Sequence, residues 1–149
     1  MDFASTYLET KTLFPVLINE APDQETGIII VVPAYDEPGI TGLLNSLALC
    51  RRPKCETEVV IIINAPLHAS QESIENNKKC LESIERWKKK NINCFFRLFA
   101  SDIGHPSIKG WGVGLSRKTG MDEAVRRFNS IDKSDGIIAN LDADCCVEE

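Results

Sequence analysis

Two carboxylates stand one residue apart in Asp142-Ala143-Asp144, directly after an apolar run. In an extended chain, residues i and i+2 point to the same side, so both carboxylates are expected to face one spot. Two anions that close repel each other unless a cation or several donors neutralise them. Mg²⁺ and Mn²⁺ prefer oxygen ligands and complete their coordination with water and substrate phosphates. The spacing is therefore compatible with a divalent-metal site for a diphosphate, although Asp is also common where strands end.

The segment from Ser101 to Gly114 combines flexible backbone with positive charge. Its glycines, cationic and aromatic side chains are Gly104, Gly110, Gly112, Gly114, His105, Lys109 and Trp111. The segment leads into a helix predicted to begin near Ser116, and a helix N-terminus beside glycines and cations suits a phosphate. Dinucleotide and P-loop binding are not indicated, because no G-x-G-x-x-G follows the first strand and Arg117 occupies the place of the second P-loop glycine.

Alternating apolar runs and amphipathic segments must position these residues. β-branched or apolar runs predict strands at 27–33, 58–63, 94–99 and 136–141, buried on both faces of a sheet. Apolar residues at helical spacing predict three helices. The first begins with the acidic cap and proline at 36–38 and ends near 53; the second covers 70–90, and the third runs from about 116 past 128. The order predicts an α/β fold with a mostly parallel sheet and helices on both faces.

In such a sheet, ligands bind beyond the carboxyl ends of the strands. Tyr35 follows the first strand and either stacks on a base or packs within the protein, while Asp36 and Glu37 either face the ligand or cap the next helix. Asn64 follows the second strand, where it either hydrogen-bonds a base or ribose or is a structural turn residue.

Composition limits the classes of protein that fit. A length of 149 residues suits one domain, and a net charge of −5 argues against a nucleic-acid backbone as the main partner. The six cysteines show no C-x-x-C pair, so they are predicted to be reduced, structural thiols. His68 and His105 have no second ligand at metal spacing, so both are predicted to form hydrogen bonds within loops. No apolar run reaches the length of a membrane-spanning helix, and a cytoplasmic protein is expected.

Four motifs between Gly27 and the C-terminus resemble those of the family 2 glycosyltransferases, whose fold is of the GT-A type. The first is similar to the family's opening strand and P-x-Y-N-E turn, with Asp36 in place of the usual Asn. The matching segments are Ile30–Glu37, the second strand, Gly112–Gly120 for G-x-x-x-A-R-N-x-G, and Asp142–Asp144 for D-x-D. After the second strand, Asn64-Ala65-Pro66 stands where the family usually carries two acidic residues and Gly-Ser.

The resemblance implies a function and a set of site residues. Nucleotide-sugar binding is expected of Pro33, Ala34, Tyr35, Glu37, Asn64, Lys109, Arg117 and Asp142. In this scheme Arg117 approaches the diphosphate, Asp142 addresses the ribose, and Asp144 with Asp142 holds Mn²⁺ or Mg²⁺. The implied reaction transfers a sugar from a nucleoside-diphosphate sugar to a hydroxyl of a saccharide or lipid-linked acceptor, with inversion.

The family's general base lies in its acceptor-binding half, so this base is expected beyond Glu149. We therefore expect a donor-binding fragment in which an N-terminal extension, 1–26, packs on a GT-A nucleotide-sugar-binding domain, 27–149, truncated after the D-x-D strand. The full-length protein is expected to be cytoplasmic or peripheral to the inner face of the membrane. The alternatives are a non-catalytic nucleotide-sugar-binding module and a nucleotidyltransferase, which usually needs a glycine-rich basic loop where Pro33–Pro38 stands.

Overall fold

A computed structural model of the chain describes residues 2–148. Met1, at the start of the predicted extension 1–26, and Glu149, at the end of the predicted domain 27–149, lie outside the described residues. The elements in chain order are α1 Ser5–Lys11, β1 Thr26–Ala34, α2 Ile40–Ala48, β2 Glu56–Ile63, α3 Gln71–Lys90, β3 Phe96–Asp102, α4 Val113–Ser130 and β4 Ile137–Asn140. After α1, strands and helices alternate in the predicted order.

The four strands found in residues 2–148 form one sheet in the order β3-β2-β1-β4, and every neighbouring pair is parallel. Val31 of β1 lies opposite Val60 of β2 on one side and Asn140 of β4 on the other. The chain thus leaves β1 toward β2 and later returns to its opposite side at β4. Such a change of direction opens a crevice at the carboxyl ends of the strands. The predicted α/β fold with a parallel sheet is confirmed.

Helices cover both faces of the sheet, which explains the continuous apolar runs. Side chains alternate along a strand, so Val32 and Ile61 pack against α2 and α3, while Val31 and Ile62 pack against α4. Helix α4 approaches β1 closely at Gly120, where an added Cβ would lie 2.3 Å from the Val31 Cγ1 atom. A glycine is required there because any side chain would push α4 away from the sheet.

Two predicted helix starts are wrong. Helix α2 begins at Ile40 with Gly39 as its cap, not at 36–38, and α4 begins at Val113 instead of near Ser116. Asp36 does not cap α2 because it adopts a left-handed backbone (φ 51°) and its carboxylate accepts hydrogen bonds from Ser73 and Asn76 of α3.

Other boundaries differ less from the predictions. Helix α2 ends at Ala48, short of residue 53, and α3 agrees closely with the predicted 70–90 because Ser70 caps it through the Ser73 N–H. Strand β3 is shifted to 96–102, since it follows β2 in register as far as the pair Ile63 and Asp102. Pairing with a neighbour, which the apolar pattern does not encode, sets this end.

The segment before β1 lies along α4 and includes a short helix that the apolar pattern did not predict. Helix α1 buries none of its residues, and seven residues alone are too few for a stable helix in water. Polar contacts hold it instead: the Ala4 N–H donates to Asn129 Oδ1 at 2.9 Å, Tyr7 donates to Asp122 at 2.6 Å, and Lys118 donates to the Lys11 carbonyl at 2.8 Å.

Buried ion pairs complete this side of the molecule. Arg127 of α4 and Glu58 of β2 are 3% and 0% exposed and form a two-pronged ion pair, with Nη2 and Oε1 2.8 Å apart. Arg127 also donates to the Glu20 carbonyl at 2.8 Å. A charge this deep is tolerated only when it is paired.

Among residues 2–148, no helix combines the length and the apolar character needed to cross a bilayer.

Candidate functional site

A cleft of about 610 Å³ lies at the carboxyl edge of the sheet. Four chain segments meet there: the end of β1 with the turn after it, the turn after β2, the start of α4 with the two residues before it, and the turn after β4. The residues that line the cleft are Pro33, Ala34, Tyr35, Glu37, Asn64, Pro66, Trp111, Gly112, Val113, Arg117, Asp142, Ala143 and Asp144. The position of the cleft is the one that the strand order favours for a ligand.

The turn after β1 presents an aromatic ring to the cleft. Tyr35 is 40% exposed, and Glu37 is half-buried with its carboxylate accepting a hydrogen bond from the Gly39 N–H at 3.3 Å. Asp36 points elsewhere, and its own N–H donates to Asn77 Oδ1 at 2.9 Å. This turn is therefore held by α3 on one side and leaves Tyr35 free to meet a ligand on the other.

Asn64 forms the floor of the cleft, with 5% of its surface exposed. Its amide donates to the Ala34 carbonyl at 3.1 Å and to Ser116 Oγ at 2.8 Å, and its Oδ1 accepts from the Trp111 indole at 3.3 Å. Its hydrogen bonds thus join the end of β1, the first turn of α4 and the preceding loop. This amide organises the cleft wall in addition to lining the cavity.

The N-terminus of α4 opens into the cleft. Gly112 is its cap and, as a glycine, supplies no side-chain acceptor to the first N–H groups, and Val113 is 61% exposed. The first N–H groups of a helix lack intrahelical partners and carry partial positive charge. An anion in the cleft would therefore meet open N–H groups.

Arg117, in the second turn of α4, forms an ion pair with Asp142 across the cleft. Its Nη2 lies 2.6 Å from Asp142 Oδ1, with the two side chains 33% and 62% exposed. Its Nε is buried and lacks a hydrogen-bond partner in the described part of the chain. The bond to Asp142 engages one nitrogen of the guanidinium, and the side chain is one-third exposed, so Arg117 retains donors for an acceptor supplied by a ligand.

The carboxylates of Asp142 and Asp144 come together through a turn. The expected extended geometry is wrong here, because β4 ends at Asn140 and the Cys145 N–H donates to the Asp142 carbonyl at 3.1 Å, which closes a turn over 142–145. The Asp142 and Asp144 carboxylates and the Cys145 thiol offer ligand atoms within 4.8 Å of one another. All three residues are exposed, and together they could hold a metal ion.

Cys145 is a member of this group that the sequence analysis did not identify. Loss of hydration and the nearby carboxylates of Asp144 and Asp142 raise the pKa of the Cys145 thiol. A thiol must lose its proton to bind a metal, and Mg²⁺ and Mn²⁺ favour oxygen. The two carboxylates are therefore the stronger ligands for such ions. The only feature of the sequence that could have identified Cys145 as part of the group is its position directly after the D-x-D motif.

The cleft brings together every predicted site residue except Lys109. Lys109 is exposed in the loop before α4 and is not among the residues that line the cavity. Pro66, Trp111, Gly112, Val113 and Ala143 line the cleft without having been predicted as site residues. Trp111 and Gly112 belong to the glycine-rich segment, whose composition pointed to the correct loop but not to the side chains that face the cavity.

Comparison with known proteins adds one structural similarity. No protein-family model matches the sequence, and no curated protein matches it. The crystal structure of S. aureus TarS 1-349 is similar over 78% of this chain and 27% of that one, at 23% sequence identity and a TM-score of 0.48. This chain thus spans about a quarter of the length of the TarS structure.

Proposed function

We propose that the cleft binds a nucleoside-diphosphate sugar and that this chain forms the donor-binding part of a glycosyltransferase. The observation that carries the proposal is the meeting, in one cleft, of a carboxylate pair with an arginine and an open helix N-terminus. Carboxylates attract a divalent cation, while Arg117 and the helix N-terminus attract an anion. A metal-bound diphosphate satisfies both requirements at once.

Each part of the cleft has a role in this proposal. Tyr35 offers its exposed ring to the nucleoside, on the side of the cleft formed by β1. Arg117 and the first N–H groups of α4 hold the diphosphate, and Asp142 addresses the ribose. Asp144 is the principal metal ligand, since it lacks the close Arg117 partner that Asp142 has.

The ion pair between Arg117 and Asp142 keeps both side chains in place before a donor arrives. An arginine held by a carboxylate has already lost much of its rotational freedom, so less entropy is lost when it binds a ligand. Arg117 engages Asp142 through Nη2 and its side chain is one-third exposed, so the guanidinium can hold the carboxylate and a phosphate oxygen together.

The donor set of the turn fits Mn²⁺ or Mg²⁺, because two carboxylates face one point beside a cleft large enough for a diphosphate and water. Such an ion supplies charge neutralisation at the leaving diphosphate when it is bound. Arg117, which lies against Asp142, contributes to the same end by donating to phosphate oxygens as their charge grows. No residue among 2–148 is assigned as the general base.

Calorimetry with UDP and GDP, each with and without Mn²⁺, tests the donor-binding proposal. We expect at least one nucleotide to bind, with Mn²⁺ raising its affinity by about tenfold or more. Asp144→Asn is expected to remove most of that Mn²⁺ effect, because a neutral amide is a poor ligand for a hard cation. Asp135→Asn is the matched control, since Asp135 precedes β4 at the opposite edge of the sheet and pairs with Lys133.

These titrations test nucleotide binding and the assignment of the metal ligand separately. If neither nucleotide binds with or without Mn²⁺, the donor-binding proposal fails. If a nucleotide binds but Asp144→Asn and Asp135→Asn have equal effects, the cleft binds nucleotides and the assignment of the metal to Asp144 is wrong.

A non-catalytic nucleotide-sugar-binding module is the second candidate function. It is favoured by one observation, namely that the cleft formed by residues 2–148 offers groups for a donor and a metal ion but no residue that is assigned as the general base. Measuring sugar transfer from UDP- and GDP-sugars to a panel of saccharide acceptors distinguishes the two candidates. Donor binding with turnover no faster than that of an Asp142→Asn variant supports the module.

A further inference from the structure

Trp111 lines the cleft directly before the cap of α4, yet its polar atom is already used within the protein. The half-buried indole donates its N–H to Asn64 Oδ1 at 3.3 Å, and Asn64 is in turn held by Ala34 and Ser116. The ring can therefore offer a ligand its apolar surface and not a hydrogen bond. A ligand whose diphosphate lies at the N-terminus of α4 would place its neighbouring ring beside this indole.

The loop that carries Trp111 has little internal structure to hold the ring. The loop covers 103–112 without a helix or strand, and Gly104 and Gly110 adopt left-handed backbone conformations (φ 64° and 75°). The backbone hydrogen bonds that tie it down include Ala65 N–H to the Gly104 carbonyl, 2.8 Å, and Trp111 N–H to the Ile108 carbonyl, 3.1 Å. Packing from outside the loop must contribute to the position of the indole.

Phe14, in the segment before β1, supplies this packing. Its ring meets the Trp111 ring edge to face, with centroids 5.9 Å apart and an interplanar angle of 79°. Edge-to-face pairs at this separation are favourable beyond the apolar area they bury, by roughly 0.5–1.5 kcal/mol. A residue about 100 positions away in sequence thus packs on the indole that lines the cleft.

The backbone at Phe14 is held by a charged pair on α4, of which Glu123 is buried and Arg126 is partly exposed. The Arg126 Nη2 atom donates to the Phe14 carbonyl at 3.2 Å, and the Glu123 carboxylate accepts from the Leu17 and Ile18 N–H groups, both at 3.2 Å. Arg126 and Glu123 also bond each other, and Glu123 is 1% exposed. A carboxylate this deep needs these donors, so the backbone of 14–18 is held in one place.

We infer that Trp111 is a wall of the cleft that contacts the donor, and that Phe14, anchored by Glu123 and Arg126, is the positioning residue for Trp111. The inference rests on the proposed function for the identity of the ligand. It adds that the segment before β1 sets the shape of the site. The segment acts through Phe14 without touching the ligand itself.

Tryptophan fluorescence tests the positioning role without any ligand. The chain has two tryptophans, and Trp87 is 7% exposed and stacked on Phe96, so acrylamide quenching reports mainly on Trp111. Trp111→Phe identifies the Trp111 contribution by difference. Phe14→Ala is expected to increase quenching of Trp111, Phe14→Tyr to retain the wild-type value, and Leu13→Ala, the exposed neighbour, to leave it unchanged.

Nucleotide affinity tests the contact with the donor. With whichever of UDP or GDP binds the wild-type chain in the presence of Mn²⁺, Phe14→Ala should weaken binding by about two- to tenfold. Phe14→Tyr should restore the affinity, and Trp111→Ala should weaken binding at least as much as Phe14→Ala. Circular dichroism melting of each variant confirms that the measured chain is folded.

Each result has a defined meaning. Unchanged Trp111 quenching in folded Phe14→Ala overturns the positioning role. Increased quenching with unchanged nucleotide affinity overturns the donor contact. If neither nucleotide binds the wild-type chain, the proposed function fails, and the quenching comparison alone still decides whether Phe14 positions Trp111.

Discussion

The layer formed by α2 and α3 meets the sheet with aliphatic side chains, whereas α4 and the segment before β1 meet it with buried charges as well. Leu43, Leu44 and Ile84 are at most 1% exposed in the first layer. On the second side, Glu123 and Arg127 of α4 are buried to a similar degree, as is Glu58 of β2, which pairs with Arg127. Apolar contacts lack direction and tolerate small shifts, but ion pairs and hydrogen bonds fix atoms at defined distances.

The difference between the layers matches their relation to the cleft. The start of α4 contributes Gly112, Val113 and Arg117 to the cavity, and Phe14 of the same layer packs on Trp111. The α2 and α3 layer reaches the cleft through hydrogen bonds from α3 to Asp36, next to Tyr35, and to the Asn64 carbonyl. We conclude that the apolar layer chiefly stabilises the fold and that the charged layer chiefly positions the site.

Removing the central buried arginine gives the largest expected effect. Arg127→Ala leaves the Glu58 carboxylate buried, with Arg97 as a more distant partner at 3.4 Å, and breaking such a pair typically destabilises a protein by about 3–5 kcal/mol. Urea unfolding measures the change in the free energy of unfolding. Arg86→Ala, an exposed arginine on α3, is the control and should change it by less than about 0.5 kcal/mol. Equal effects of the two variants would contradict the comparison.

Truncating the apolar layer comes next. Leu44→Ala removes a fully buried side chain and is expected to cost about 3 kcal/mol of unfolding free energy, while Leu49→Ala, 81% exposed, should cost little. The informative readout is the cleft: Leu44→Ala should leave Trp111 quenching unchanged in the folded protein, whereas Arg127→Ala should alter it. A change in Trp111 quenching with Leu44→Ala would show that both layers position the site.

A smaller effect is expected at Asp36, where the apolar layer touches the cleft. Asp36→Ala loses the hydrogen bonds from Ser73 and Asn76 and places an alanine in a left-handed backbone, which together should cost about 2 kcal/mol. Asp36→Asn keeps an acceptor and tolerates this backbone, so it should cost about half as much. Urea unfolding of both variants measures the difference, and equal costs would argue against a role for the backbone conformation.

Alkaline pH gives the smallest effect and concerns the charged layer. The hydrogen bond to Asp122 raises the pKa of Tyr7 above its usual value near 10. Burial is the strongest single influence on Lys118 and lowers its pKa, but the hydrogen bonds and charges of Asp122 and Tyr7 together outweigh burial, so the pKa of Lys118 is raised as well. Groups with raised folded pKa values stabilise the fold fully below their unfolded pKa and lose that contribution as the pH rises through the folded pKa.

The contact between α1 and α4 should therefore weaken above about pH 10. Absorbance titration of tyrosinate is expected to show a late step in the wild-type chain that is missing in Tyr7→Phe, in which Tyr35 is the remaining tyrosine. An identical titration curve per tyrosine in the two chains would contradict the assignment of that step to Tyr7.

Much of the fold and most of the candidate site could be predicted from the sequence. The β-branched runs and the helical spacing predicted how the four strands alternate with helices α2, α3 and α4 along the chain, because burial of a strand on two faces selects apolar residue types. Helix α1 could not be predicted from an apolar pattern, because it buries none of its residues and is held by polar contacts with α4. The early start of α4 was missed because Gly114 in its first turn is a poor helix former.

The sequence by itself determined the alternation of strands and helices and the types of side chain available at the strand ends. The tertiary structure alone decided the strand order, the turn that gathers Asp142 with Asp144, and the outward position of Lys109. It also decided that Phe14 meets Trp111. Periodicity records how deeply a residue is buried, but contacts between distant segments depend on how elements pack, and no local pattern encodes that geometry.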